Sequence, residues 1–113
     1  MEDCLFCRIA SGGIPAKKAY EDDTSLAFYD IDPKAPVHIL IIPKKHIASV
    51  AAADESDFSL IAHLLEVARN LAKELKLDDG FRLVVNTGKD GGQTVHHLHV
   101  HLLGGRAMGW PPG

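Results

Sequence analysis

Histidine and aliphatic residues alternate strictly over positions 97–102, which read His-Leu-His-Val-His-Leu. Side chains along a β-strand point alternately to the two faces of a sheet, so this alternation predicts a strand with three imidazoles on one face. Successive imidazoles on that face would lie roughly 6–7 Å apart. We therefore predict that the last strand of the chain, over residues 95–103, presents His97, His99 and His101 side by side.

The other hydrophobic patterns predict two helices and four further strands. Residues 39–42 are all isoleucine or leucine, which is typical of a strand covered on both faces. The predicted elements are a short helix over 3–11, a hairpin of strands 19–21 and 25–30, a strand over 38–43, a long helix over 55–77 and a strand over 81–86. One face of the long helix should be buried, through Ile61, Leu64, Leu65, Ala68, Leu71, Ala72 and Leu75.

This order of elements predicts a single α+β domain over residues 1–113, with an antiparallel meander sheet of about five strands packed on the long helix. The short N-terminal helix completes this architecture. A flexible loop over 88–92, which contains three glycines, separates the last two strands. Because that loop is short, we expect these two strands to be antiparallel neighbours.

The charge pattern of the chain narrows the classes of partner. The net charge is −3 with neutral histidines, and the sequence has no basic tail or run of lysines, which disfavours generic nucleic-acid binding. No apolar stretch approaches the roughly 20 residues that span a bilayer. The acidic start leads into no secretory segment, so we expect a soluble, cytoplasmic protein without a membrane partner.

Three aligned imidazoles are compatible with two kinds of chemistry. They could bind a catalytic metal, or one could act as a nucleophile and another as a proton donor. Backbone N–H groups of the glycine loop, with the side chains of Gln93 and Thr94, favour a phosphate beside the imidazoles. The carboxylate nearest in sequence is Asp90, which lies in that loop rather than on the strand. A polar, solvent-facing strand remains the alternative without chemistry.

The run from His97 to Leu103 resembles the signature of the histidine-triad family, His-φ-His-φ-His-φ-φ, in which φ is apolar. The resemblance covers nearly the whole chain and is greatest to the Hint branch. The segments that carry it are 14–16 (Ile-Pro-Ala), 20–22 (Tyr-Glu-Asp), 26–28 (Leu-Ala-Phe), 30–31 (Asp-Ile), 42–46 (Ile-Pro-Lys-Lys-His), 91–95 (Gly-Gly-Gln-Thr-Val), 104–106 (Gly-Gly-Arg) and 110–113 (Trp-Pro-Pro-Gly).

The resemblance implies a homodimer whose two sheets join into one continuous sheet. It also implies hydrolysis of adenosine or guanosine 5′-phosphoramidates to the nucleoside monophosphate and an amine. Aminoacyl-adenylates and lysine-linked AMP belong to that substrate class. No cofactor is implied for catalysis itself.

The resemblance also implies roles for individual residues. His99 would attack the α-phosphorus and become transiently nucleotidylated, while His101 would contact the phosphate and assist proton transfer to the amine. His97 and His38 would support these two imidazoles. The phosphate site would be lined by Asn86, Gly92, Gln93 and Thr94, the last at a position where the family often has serine. Asp30 would hold the ribose hydroxyls, Leu5, Phe6, Ile9, Phe28 and Ile31 would form the base pocket, and Trp110 would reach the partner's active site.

Cys4 and Cys7 have the spacing that lets one short turn present two thiolates to a metal ion. A redox pair or two free thiols are the alternatives from the sequence itself. The resemblance implies that His46 and His97 complete a closed, structural Cys₂His₂ zinc site.

Two other functional classes stay open beside the phosphoramidase. One is a nucleotide-binding interaction module with little turnover, in which the histidines only form a pocket. The other is a zinc protein that uses the triad for a catalytic metal.

Overall fold

The computed structural model describes residues 3–113, and a five-stranded antiparallel sheet lies at its centre. The strands are β1 (Lys18–Glu21), β2 (Ser25–Tyr29), β3 (Val37–Pro43), β4 (Phe81–Val84) and β5 (Val100–Gly104). The helices are α1 (Leu5–Ala10), α2 (Phe58–Glu74) and α3 (Gly88–Gly91), and a 3₁₀ turn over Glu55–Asp57 leads into α2. Among the described residues, no helix combines the length and apolarity needed to cross a membrane.

The strand order is β1-β2-β3-β5-β4, with all neighbours antiparallel. The predicted α+β class and the antiparallel pairing of the last two strands are therefore confirmed. The meander connection holds for β1 to β3 only, because β5 inserts between β3 and β4. As a result, β4 forms one edge of the sheet and β5 lies near its centre.

Strand β3 is buried on both faces, as its continuous apolar run predicted. Ile39 and Ile41 pack into the core beneath α2, whereas Leu40 and Ile42 pack on the opposite face with residues of α1. The alternation of side chains along a strand thus divides the core into two clusters. Since His38 alternates in step with Leu40 and Ile42, it lies on the face that α1 covers.

Helix α2 is shorter than the predicted range of 55–77, since its first three residues form the 3₁₀ turn and the α-helix ends at Glu74. The inclusion of Leu65 in the buried stripe was wrong, because its side chain is exposed. Val67 is buried instead, together with Leu64. The stripe therefore runs along the helix at a slightly different angle from the one that the sequence pattern suggested.

Strand β5 begins at Val100, five residues later than predicted, so His97 and His99 precede it. The ladder between β3 and β5 ends at the pair Ile41 and Val100. Before that point the N–H of Leu98 donates to the carbonyl of Ile47, which lies beyond the end of β3 (2.6 Å). The histidine segment therefore leaves the regular ladder two residues before β3 ends at Pro43.

The glycine-containing segment before the histidines is also more ordered than predicted. Instead of a flexible loop, residues 88–91 form one helical turn, and Gly92 ends it with a positive φ of 81°. Glycine adopts that conformation without the steric penalty that other residues incur. The predicted strand over 81–86 ends at Val84, two residues early.

Asp22 joins the β1–β2 turn to helix α2. One carboxylate oxygen accepts hydrogen bonds from the backbone and hydroxyl groups of Thr24 and Ser25, and the other accepts from Tyr20 and from Nε2 of His63 (2.6 Å). The hydrogen bond that His63 donates to Asp22 raises the pKa of His63. His63 is therefore a structural contact, far in sequence from the histidine triad.

Candidate active site and metal cluster

His38 and His101 lie side by side on the face of the sheet that α1 covers. In the ladder between β3 and β5, His101 is opposite Leu40 and His38 is opposite Leu103, so the two histidines are diagonal neighbours. Nε2 of His38 lies 2.9 Å from Nδ1 of His101, and the ring centroids are 5.2 Å apart. Diagonal positions on one face of an antiparallel pair are within reach of such rings.

Backbone hydrogen bonds determine which nitrogen of each ring carries the proton. The N–H of Lys34 donates to Nδ1 of His38 (3.0 Å), so a neutral His38 carries its proton on Nε2. That Nε2–H then donates to Nδ1 of His101, which leaves the proton of a neutral His101 on its own Nε2. The main-chain N–H of Lys34 therefore determines the tautomer of His38 directly and that of His101 through His38.

His99 is oriented the opposite way. Its Nδ1 donates to the carbonyl oxygen of His97 (2.7 Å), so the lone pair of a neutral His99 lies on Nε2. The ring is nearly buried and lies 4.9 Å from that of His101, between centroids. An imidazole with a lone pair thus stands beside one with an N–H, as nucleophilic attack and assisted departure of a leaving group require.

Burial keeps the His38–His101 pair uncharged near neutral pH. Desolvation, with the nearby imidazoles of His99 and His38, lowers the pKa of His101 to about 4. Desolvation also lowers the pKa of His38, although Asp30 opposes that effect. The neutral tautomers of His38 and His101 are therefore the forms present at pH 7.

These shifts predict that the free energy of unfolding falls as the pH is lowered from about 6.5 towards 4. In that range the unfolded chain protonates His101, whose usual pKa is 6.5, while the folded state does so only near its own pKa of about 4. The contribution of His101 to the free energy of unfolding is thus fully present above pH 6.5 and is lost as the pH falls towards 4. Urea unfolding between pH 7.5 and 4.5 measures the slope, and His101→Asn should flatten it.

His63 provides a control of opposite sign. Its raised pKa contributes stability that is present at low pH and is lost as the pH rises through the folded-state value. Replacing His63 by asparagine should therefore steepen the fall in stability on acidification. A slope that neither substitution changes would contradict this account of the two histidines.

The residues predicted for the base pocket fall into two groups. Phe6 packs edge-on against His99, with 5.1 Å between ring centroids, and also against Phe28. Phe6, Ile9 and Phe28 are buried in the smaller core cluster, whereas Leu5 is half-exposed and Ile31 fully exposed. A base could cover the exposed apolar surface at Ile31, whereas within the buried group Phe6 packs directly against the ring of His99.

Asp30 and Trp110 have different surroundings. Oδ1 of Asp30 accepts the N–H of Asp32 (2.8 Å), and Oδ2 lies 3.5 Å from Nε2 of His38, so the carboxylate borders the imidazole pair. Trp110 is 83% exposed. Its predicted contact with a partner subunit stays a prediction.

Gln93 holds the segment before the histidines in place. Its backbone N–H donates to the carbonyl of Gly88, and its side-chain amide donates to those of Ala48 (2.7 Å) and Val95 (3.0 Å). Because these N–H groups are engaged, Gln93 can line a phosphate site only by shaping it. Of the other residues predicted there, Thr94 is exposed, Asn86 is half-buried, and Gly92 caps the helical turn.

Cys4, Cys7, His46 and His97 converge next to the imidazole row, with all four ligand atoms within 4.8 Å of one another. Nδ1 of His97 lies 3.3 Å from Sγ of Cys4 and 3.5 Å from Sγ of Cys7, and Nδ1 of His46 lies 3.3 Å from the latter. A tetrahedral zinc ion with the usual bond lengths separates sulfur and nitrogen ligands by about 3.6 Å. The structure thus brings together the four residues named from the sequence, and their role as zinc ligands stays a prediction.

The donor chemistry also fits a cation. Nε2 of His97 donates to the carbonyl of Pro43 (2.8 Å), so its Nδ1 faces the thiols as a lone pair. Burial and the neighbouring Cys4 raise the pKa of Cys7, because two thiolates so close repel each other unless a cation lies between them. The group of Asp30, His38 and His101 could also hold an ion. However, the hydrogen bond between its two histidines already accounts for that arrangement.

Two main-chain groups of this site could not be read from the sequence. The N–H of Lys34 and the carbonyl of Pro43 orient His38 and His97, yet a backbone group leaves no signal in residue type. Pro33 and Pro36 on either side of Lys34 are typical of a loop, but they do not indicate that this loop touches an imidazole.

The chain matches the model of the HIT domain over residues 11–108. An uncharacterized HIT-like protein of Synechocystis sp. is 52% identical over 99% of this chain and 98% of its own. The solved structure of a HIT family hydrolase from Legionella pneumophila superposes with a TM-score of 0.96, at 54% identity over 98% of this chain and all of that one. A histidine triad nucleotide-binding protein from Candida albicans superposes with a TM-score of 0.81, at 36% identity over 96% of this chain and 83% of its own. The chain therefore belongs to the HIT domain family.

Proposed function

We propose that the protein hydrolyses purine nucleoside 5′-phosphoramidates at the phosphorus–nitrogen bond. The observation that carries the proposal is the pair of opposed tautomers, with a lone pair on Nε2 of His99 and an N–H on Nε2 of His101. Relatives described as a hydrolase and as a nucleotide-binding protein support both parts of the activity. A module that binds nucleotides without turnover would have no need for this arrangement.

In the first step the lone pair of His99 forms a bond to the α-phosphorus while the phosphorus–nitrogen bond breaks. The departing amine takes up one proton. The negative phosphate favours protonation of the coupled His38–His101 pair, and Nε2 of His101 passes that proton to the amine. In the second step water attacks the phosphorus, the bond to His99 breaks, and the pair accepts the proton that water loses.

The remaining predicted residues have supporting roles in this proposal. Asp30, beside the imidazole pair, receives the ribose hydroxyls, and the apolar surface that includes Ile31 receives the base. The phosphate lies against the segment from Asn86 to Thr94, where the exposed hydroxyl of Thr94 donates to it. Trp110 shapes the side on which the amine departs.

The direct test compares two substrates at equal concentration, adenosine 5′-phosphoramidate and a diadenosine polyphosphate. AMP release from the phosphoramidate, faster by at least about tenfold, is the expected result, because His101 can assist a departing amine by proton transfer. A preference for the dinucleotide would assign the chain to a different reaction of the same site. Tight AMP binding without release from either would favour the binding module.

We further propose that the Cys4, Cys7, His46 and His97 cluster holds a structural zinc ion. Two thiols and two imidazoles are the donor set that zinc prefers, and four protein ligands leave no open position for substrate. The ion would fix α1 against the histidine segment, since Cys4 and Cys7 belong to the start of that helix.

We also propose that the protein is a homodimer in which two sheets join along β4. This strand forms one edge of the sheet, and the side chains of Phe81 within it and of Val85 directly after it are exposed. Exposed strand edges with apolar side chains are suited to pairing with another strand. Sedimentation at micromolar concentration should give twice the mass of one chain, and a clean monomer would contradict the proposal.

A further inference from the structure

Arg106, which follows β5, binds the loop that precedes β3. Its Nε and Nη2 both donate to the carbonyl oxygen of Lys34, at 3.1 and 2.9 Å, and its Nη1 donates to the carbonyl of Ala107 (3.1 Å). All three nitrogens of the guanidinium therefore bind main-chain oxygens. The planar, rigid group holds the Lys34 carbonyl with two N–H groups at once.

The turn that carries Arg106 is itself held close to this loop. Val37 and Gly104 are paired across β3 and β5, which fixes the start of one segment beside the end of the other. Gly105 has a φ of 89°, and a Cβ placed on it would lie 2.9 Å from Cβ of Pro36. The backbone of Gly105 thus approaches the ring of Pro36 more closely than a residue with a side chain would allow.

Lys34 is the residue whose N–H donates to Nδ1 of His38. The two backbone groups of Lys34 therefore form different hydrogen bonds. Its carbonyl accepts from Arg106, and its N–H determines the tautomer of His38. The tautomer of His38 in turn sets that of His101. Arg106 on the surface is thus linked to the imidazole pair by hydrogen bonds on both sides of Lys34, which are joined through the backbone of that residue.

We propose that Arg106 is a positioning residue for the His38–His101 pair and acts through the backbone of Lys34. The inference rests on the proposed function only for its effect on rate. Without Arg106 the Lys34 backbone can turn, and Nδ1 of His38 no longer has a fixed donor. His38 then exchanges between tautomers, and His101 presents its N–H to the substrate for only part of the time.

Surface charge is a weaker explanation for this arginine. An exposed arginine paired with a carboxylate contributes little to stability, and the hydrogen-bond partners of Arg106 are carbonyls rather than carboxylates. A small displacement of a group that positions a reacting atom can nevertheless lower a rate by a large factor.

The experiment measures the imidazole tautomers of ¹⁵N-histidine-labelled protein by long-range ¹H–¹⁵N NMR at pH 7.5, for wild type and Arg106→Ala. We expect one Nε2–H tautomer for His38 in the wild type and a mixture in the variant. With adenosine 5′-phosphoramidate, the kcat of the variant should fall roughly tenfold, because the variant would lose only part of the rate that a proton-transferring side chain contributes. Its KM should change by less than about threefold.

Arg82→Ala is the matched control, because Nη2 of Arg82 donates to the carbonyl of Gly109 and so also holds the C-terminal segment (2.8 Å). It should leave the tautomer of His38 unchanged. An unchanged His38 tautomer in Arg106→Ala would overturn the inference, whatever the rate. The tautomer measurement requires no turnover, so it still decides the inference if the wild type fails to cleave the phosphoramidate.

Discussion

Replacing His99 by alanine should abolish AMP release from adenosine 5′-phosphoramidate, with a fall in kcat of at least about 1,000-fold. The variant lacks the lone pair on Nε2 that we propose attacks the phosphorus, whereas the groups proposed to bind the ribose and base remain. AMP affinity, measured by calorimetry, should therefore change by only a few-fold. Single-turnover kinetics would show no nucleotidylated protein in the variant.

The matched control is His96→Ala, which removes an exposed imidazole three residues before His99. It should retain activity within about twofold, because its ring belongs to none of the hydrogen bonds that orient the triad. Residual hydrolysis by His99→Ala at more than about a tenth of the wild-type rate would mean that water attacks the phosphorus directly. The protein would then still bind the nucleotide, but without a covalent intermediate.

Removal of the proposed zinc ion should have the largest effect on stability. An ion present at about 1,000 times its dissociation constant stabilises the folded state by about 4 kcal/mol. In a domain of this size that corresponds to a fall of roughly 15 °C in Tm after chelation. Elemental analysis should give about one zinc per chain for the wild type, and far less for Cys4→Ser.

Cys4→Ser is the sharper variant because Cys4 also caps α1, where its Sγ accepts the N–H of Cys7 (3.3 Å). Serine is a favourable N-cap residue, so the substitution keeps the cap while removing a thiolate ligand. Hydrolysis should persist in the chelated protein well below its lowered Tm. Loss of hydrolysis with an intact fold would instead support a catalytic metal at the triad.

The sequence was sufficient to predict that the three histidines share one face, but not where the regular strand begins. Alternation placed His97, His99 and His101 on one side, and the contacts of Phe6 with the first two, together with the close approach of the last two, confirm that grouping. The regular strand nevertheless begins only at Val100. Alternation reports the direction of side chains and contains no information about whether a neighbouring strand is present to complete the ladder.

For the metal cluster, too, one part could be predicted from the sequence and another part could not. The spacing of Cys4 and Cys7 is local and indicates a shared ligand site, whereas the approach of His46 and His97 depends on how β3 and the histidine segment end. Local spacing cannot supply such long-range proximity, which came from the family resemblance. The exposure of Leu65 is comparable, because a helix has several aliphatic residues and only packing selects those that are buried.

His97 binds different partners through each of its polar groups. Its Nδ1 faces the two thiols, its Nε2 donates to the carbonyl of Pro43, and its own carbonyl accepts the Nδ1–H of the His99 ring. Loss of the cysteines in a related chain would therefore remove one of two restraints on the residue that orients the nucleophile. We expect chains of this kind that lack the thiols to hold His97 by substitute packing around positions 4, 7 and 46, so that these positions change together.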